Sequence, residues 1–226
     1  SRGPPKIVAL IPLCSEADAH EAWRLLTVAA EKGTSIGHGD DGKTDILIDA
    51  PSPTKRTFAV PGVKLRLTVL PPFASKQGAP LSAVTLLEYV KGADIVIFLT
   101  SSSAKGPGMD CIDNQGQKYC EVLRAFGLPS VYAGMQGIAG LSLSEKSAVK
   151  KRVAAAFKDQ VRDSVPLFPL DTPADCLHMF RTIKEQKHSS PTWRQHRPYL
   201  VVDKCECHEN GVVSNAASSG DSCTFS

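Results

Sequence analysis

The sequence predicts an α/β fold, in which a mostly parallel sheet is covered by helices on both faces. Short apolar runs of strand length recur along the chain, at residues 6–13, 94–99 and 130–133 among others. Segments of ten or more residues with helical spacing alternate with them, and several of these close on a glycine, at Gly33, Gly92 and Gly127. Strands separated by helices of that length are joined by crossovers, which make neighbouring strands parallel.

KIVALIPL, residues 6–13, reads as a buried strand. Ser15 with Asp18 three residues on signals a helix start, after which Ala19, Trp23, Leu26 and Ala30 keep helical spacing as far as Gly33. ILIDAP, RTFAV and VKLRLTVL are strand-like pieces divided by Pro51, Pro53, Pro61 and Gly62, which favours hairpins. SAVTLLEYVKGADIVIFLTSS reads as a helix ending near Gly92 and a strand over 94–99, and NQGQKYCEVLRAFGLPSVYAGMQGI repeats the arrangement with a helix to Gly127 and a strand over 130–133. In SLSEKSAVKKRVAAAFKDQV, Ser144 is read as opening an amphipathic helix; VPLFPLD follows as a short strand and PADCLHMFRTIKEQK as a helix. At Pro191 the rhythm changes: residues 199–202 look like a strand with no helix after them, and NGVVSNAASSGDSCTFS is polar, small and expected to be loose. The expected division is an α/β domain over residues 1–190 and the start of a second domain over 191–226.

A chain of 226 residues with 42% hydrophobic content can bury a full core. Its longest apolar runs, IVALIPL and ADIVIFL, are far shorter than the ~20 residues of a membrane helix, so insertion into a membrane is not expected. The opening SRGPPK carries no methionine and no apolar run behind a basic stretch, so no signal peptide is expected and the chain reads as part of a longer polypeptide. Seven cysteines, scattered and odd in number, suit free thiols in a reducing compartment. The net charge of +3 is uneven: residues 144–197 hold eleven Lys or Arg against six Asp or Glu, whereas residues 1–143 hold 14 against 13. That surplus suits an anionic partner.

GHGDDGKT, residues 37–44, satisfies GxxxxGK[ST] letter for letter. A phosphate loop works because a strand delivers a glycine-rich turn into a helix, whose N-terminal amides converge on the phosphates. Here the stretch follows a helical segment and precedes DILIDAPSP, which is strand-like and broken by prolines, and Asp40 and Asp41 would repel an anion. A solvated, turn-rich loop is the better reading. The first strand-to-helix junction, IPLCSEADAHEAW, has neither glycine nor lysine and carries Glu16 and Asp18, so it reads as a capped helix start.

Cys205, Cys207, His208 and Cys223 do not match a paired zinc spacing, and His20 and His178 have no nucleophile placed beside them by any motif. No catalytic, cofactor or metal residue is therefore expected. The basic region offers Lys150, Lys151, Arg152, Lys184, Lys187, Arg194 and Arg197 as candidate contacts to RNA phosphates, with Trp193 and Tyr199 as stacking or packing groups. Arg194 and Arg197 lead because they stand at the expected domain junction.

GPPKIVALIPL, YCEVLRAFGLPSVYAGMQGIAGL, VPLFPLDTPADCLHMFRTI and WRQHRPYLVV, in that order, resemble the Tsr-type ribosome-maturation factors, relatives of the Bms-type GTPases, over residues 4–203. The resemblance implies a GTPase-like domain followed by a β-barrel that begins near HRPYL. It implies an inactive GTPase mimic, with no cofactor, that binds pre-40S particles, ribosomal RNA and ribosomal proteins included, and neither membrane nor DNA. It also implies residence in the nucleus and nucleolus, with passage into the cytoplasm on the particle. The GTPase signatures fail residue by residue: Leu13 to His20 lack a phosphate loop, Leu70, Pro71, Pro72 and Phe73 replace a switch motif, and Ala133, Gly134, Met135 and Gln136 replace the guanine-recognition motif. The alternatives are an active Bms-type GTPase using residues 37–44 and a generic interaction scaffold.

Overall fold

Among the described residues, six strands and five helices form one α/β layer structure: β1 (Lys6–Pro12), α1 (Ala19–Lys32), β2 (Thr57–Val60), β3 (Leu65–Val69), α2 (Ala83–Lys91), β4 (Ile95–Ser101), α3 (Asn114–Phe126), β5 (Ser130–Gln136), α4 (Leu143–Gln160), β6 (Leu167–Pro169) and α5 (Pro173–Glu185). The computed structural model describes residues 4–32, 57–60, 62–72, 82–102, 111–196, 207–209 and 212–214. The sheet order is β2-β3-β1-β4-β5-β6. All neighbours pair in parallel except β2 and β3, which form an antiparallel hairpin turned at Gly62 and Lys64, both with positive φ. The mostly parallel α/β fold expected from the sequence is the fold observed.

Strand alternation divides the core in two. Val8 and Leu10 of β1 face α1 and α5, while Ala9 and Ile11 face α2, α3 and α4. Each helix presents the stripe that its sequence spacing dictates: Ala22, Leu25, Leu26, Ala29 and Ala30 on α1, and Gly116, Tyr119, Cys120 and Leu123 on α3. α4 is the exception, burying only Val153 and Phe157.

Two helix starts differ from expectation. α1 begins at Ala19 and is capped by Asp18, not Ser15, whose hydroxyl donates instead to Glu16. α4 is capped by Ser142, not Ser144, because Glu145 lies three residues after Ser142 and closes a reciprocal capping box with it. β4 and β5 are longer than the runs 94–99 and 130–133, since Thr100, Ser101 and Gln136 extend the ladder although polar. The tail expected to be loose contains an antiparallel hairpin, β7 (Cys207–Glu209) with β8 (Val212–Ser214). The intervening Asn210 and Gly211 are a strong hairpin dipeptide. A strand over 199–202 and the ILIDAP strand lie outside the described residues, and so does GHGDDGKT. The short 3-10 helix Thr192–Gln195, placed by sequence in the second domain, packs on the first: the Trp193 ring lies tilted against Phe126 of α3, with centroids 4.8 Å apart. Among the described residues, no helix is long and apolar enough to cross a membrane.

Candidate functional site

Ligands of open α/β sheets bind beyond the C-terminal strand ends, where neighbouring connections leave toward opposite faces. Here that point lies between β1, which leads to α1 on one face, and β4, which leads to α3 on the other. The chain itself fills it. Leu13 donates its N–H to Leu99 O at 2.9 Å, and its carbonyl accepts from Asp113 N at 2.9 Å. Asp113 caps α3, its carboxylate accepting from Gly116 N at 2.7 Å. A Cβ on Gly116 would stand 2.2 Å from Leu13 O, so only glycine lets α3 close on β1 this tightly. Leu13, Cys14, Cys111 and Ile112 are buried around this contact.

Beside it, the amides that could hold an anion are occupied by carboxylates of the protein. Asp18 Oδ1 accepts from His20 N at 2.8 Å and Glu21 N at 2.9 Å, the first free donors of α1. Gln136, at the end of β5 and 8% exposed, clasps the backbone of the same residue: its Oε1 accepts from Asp18 N and its Nε2 donates to Asp18 O, both at 2.8 Å. Asp171, after β6, takes three consecutive amides of the β5–α4 loop, from Gly137 at 2.6 Å, Ile138 at 2.7 Å and Ala139 at 2.6 Å. Three converging N–H groups are a natural anion cradle, and here the anion is covalently part of the chain.

Between these groups lies an open cleft of about 280 Å³, lined by Glu16, Asp18, Glu21 and Asp171 as well as Gln136 and Gly137. The hydroxyl of Ser15 holds the Glu16 carboxyl below the usual carboxylate range. Among the described residues, four carboxylates and no basic side chain line this cleft, an arrangement that repels phosphates and favours cationic groups. Nucleophiles are equally scarce. Burial raises the thiols of Cys14, Cys120 and Cys176, that of Cys120 to about 12, which keeps them protonated and inert at neutral pH. A serine–histidine contact does exist, His188 Nδ1 to Ser130 Oγ at 3.3 Å, but that serine oxygen also accepts from Ser189 N at 2.9 Å. The pair lies at the opposite strand end from the cleft, where it tethers the chain leaving α5. Among the described residues, no group of three or more His, Cys, Asp or Glu could hold a metal ion. Cys205 and Cys223 lie outside them.

The basic candidates separate. Lys150, Lys151 and Arg152 are exposed on α4, and Lys184 and Lys187 are exposed on and just beyond α5, on opposite faces of the sheet. Arg152 Nε also donates to Cys111 Sγ at 3.2 Å. Arg194 is engaged within the fold, bonded to Asp94 and to two backbone carbonyls. Arg197 and Tyr199 lie outside the described residues. Sequence reasoning missed Gln136 and Asp171, whose partners are 118 and 32–34 residues away and leave no local pattern.

No family model matches the chain. It is 27% identical over 223 residues to the human protein named Pre-rRNA-processing protein TSR1 homolog, covering 96% of this chain and 24% of that protein. It is 22% identical over 210 residues to Ribosome biogenesis protein tsr1 of Schizosaccharomyces pombe, covering 92% and 24%, and 23% identical over 167 residues to the TSR1 homolog of Caenorhabditis briggsae, covering 74% and 20%. The chain thus spans about a quarter or less of the length of these relatives. Among solved structures, translation elongation factor SelB of Methanococcus maripaludis in its apo form aligns with a TM-score of 0.52 at 11% identity, over 81% of this chain and 35% of that one. The fold is similar to that of this elongation factor, and the curated relatives are the TSR1-type proteins that the sequence motifs resembled.

Proposed function

We propose that this relative of the TSR1-type proteins is part of a non-enzymatic ribosome biogenesis factor, which binds pre-40S particles and supports small-subunit maturation and pre-rRNA processing. The GTPase-like domain serves in this reading as a rigid docking body, not as a catalyst. The observation that carries it is the occupation of the anion-binding amides by Asp18 and Asp171, with Gln136 clasping the α1 entry. A triphosphate would have to displace two carboxylates from five backbone N–H bonds and enter a cleft lined by four acids. The expected compartment is the nucleolus and nucleus, with the cytoplasm reached on the particle. The proposed division keeps an α/β domain over residues 1–190 and a second segment over 191–226 that opens a β-barrel, the first residues of that segment, Pro191–His196, being packed on the α/β unit.

Titration of a fluorescent GTP analogue with Mg²⁺ tests the inactive reading. No saturable binding is expected at micromolar protein. Micromolar affinity that is lost in Lys43→Ala would overturn the reading in favour of a GTPase that uses residues 37–44. Co-sedimentation of the full-length protein with small-subunit precursors tests the particle assignment, and its absence from those fractions would overturn it.

A further inference from the structure

The segment Pro191–His196 is bolted to the N-terminal edge of the sheet, the end remote from the cleft. Arg194 Nη2 donates to Lys91 O and Ala93 O, both at 2.7 Å, and Nη1 to Asp94 Oδ1 at 3.3 Å. The second oxygen of Asp94 accepts from Ile7 N at 2.9 Å while Asp94 N donates to Ile7 O, so the same carboxylate joins the guanidinium to the start of β1. The Arg194 side chain is only 18% exposed. Its guanidinium lies 5.6 Å from the centroid of the Trp193 ring, and that ring packs at a tilt against Phe126. Gly127 ends α3 at φ +100°, a backbone conformation that favours glycine, and lies against Pro191 and Trp193, which a Cβ there would meet at ordinary contact distances of 3.6–3.9 Å. An arginine that served only as an exposed phosphate contact would not commit three donors to the loop before β4.

We propose that Arg194 and Trp193 form a latch that fixes where, and in which direction, the chain leaves the α/β unit. The planar fork of Arg194 suits it to serve two carbonyls and a carboxylate at once, which a lysine ammonium on a flexible stem does not. The latch assigns Arg194 a positioning role in place of RNA contact, and it stands whether or not the protein binds pre-ribosomes.

The test uses the whole chain with Arg194→Ala, Arg194→Lys and Asp94→Asn, the last retaining an acceptor for the Ile7 N–H. Chymotryptic cleavage after Trp193 is followed by mass spectrometry, and acrylamide quenching of Trp193 is read in a Trp23→Phe background. Loss of charge-assisted hydrogen bonds should raise local opening about tenfold or more in Arg194→Ala. Cleavage should accelerate accordingly and quenching approach that of a free indole, with a smaller change in Arg194→Lys and Asp94→Asn and a retained cooperative melt of the α/β unit. Unchanged cleavage and quenching would overturn the latch. So would loss of the cooperative melt in Arg194→Lys together with faster cleavage throughout the core, since Arg194 would then hold the fold as a whole.

Discussion

Gly116 shows how much can rest on one missing methyl group. Its Cα faces Leu13 O so closely that an added Cβ would lie 2.2 Å from that backbone oxygen and 2.9 Å from the Ile112 side chain. Backbone cannot retreat as a side-chain tip can, so Gly116→Ala is expected to lower the unfolding free energy by ~3 kcal/mol in a urea titration. Gly140, where an added methyl group would meet nothing within 4 Å, is the control, and Gly140→Ala should leave the transition midpoint nearly unchanged. Equal midpoints for the two variants would mean that the α3–β1 contact is looser than the geometry requires. Gly134 is an intermediate case, because its close neighbour is the movable Cδ1 of Leu170.

At the scale of the element, α4 depends on its cap more than the other helices do. It runs for 18 residues but buries only Val153 and Phe157, so packing contributes little and the ends matter. Ser142 Oγ accepts from Glu145 N, and the Glu145 carboxylate accepts from Ser142 N at 2.9 Å, satisfying two otherwise orphan donors. Ser142→Ala should therefore cost ~1 kcal/mol and speed amide exchange in the first turn of α4. Ser144→Ala, which removes no cap, should change stability by less than about 0.5 kcal/mol. The reverse order of effects would restore Ser144 as the helix opener.

For the whole molecule, the placement of helices on the two sheet faces decides how the basic surplus can be used. Between Glu145 and Asp159, α4 carries Lys146, Lys150, Lys151, Arg152 and Lys158 with no acid, whereas Lys184 on the opposite face adjoins Glu185. If the domain docks on ribosomal RNA, the α4 face is the one whose field is not cancelled by its own helix. The log–log salt dependence of binding to a small-subunit RNA fragment should then flatten by about 0.7–0.9 for each of Lys150→Ala and Lys151→Ala, depending on whether the RNA is single-stranded or helical. Lys184→Ala and Lys187→Ala should leave the slope unchanged. Equal effects from both pairs would refute a one-faced contact.

The sequence by itself determined the α/β class, the order of strands and helices and the faces that the helices bury, because these follow from local periodicity and glycine punctuation. It also determined that the β1–α1 junction lacks a phosphate loop, which is a matter of composition. Only the tertiary structure decided what stands there instead. Gln136 meets Asp18 across 118 residues of chain, Asp171 reaches back to Gly137, and Arg194 reaches Asp94 across 100 residues. Such pairs carry no periodic signal: polar side chains find partners by the proximity that sheet order and crossover direction impose. Arg194 makes the difference plain, since in the sequence it is one more positive charge near a boundary, and in the fold its charge is already matched by Asp94.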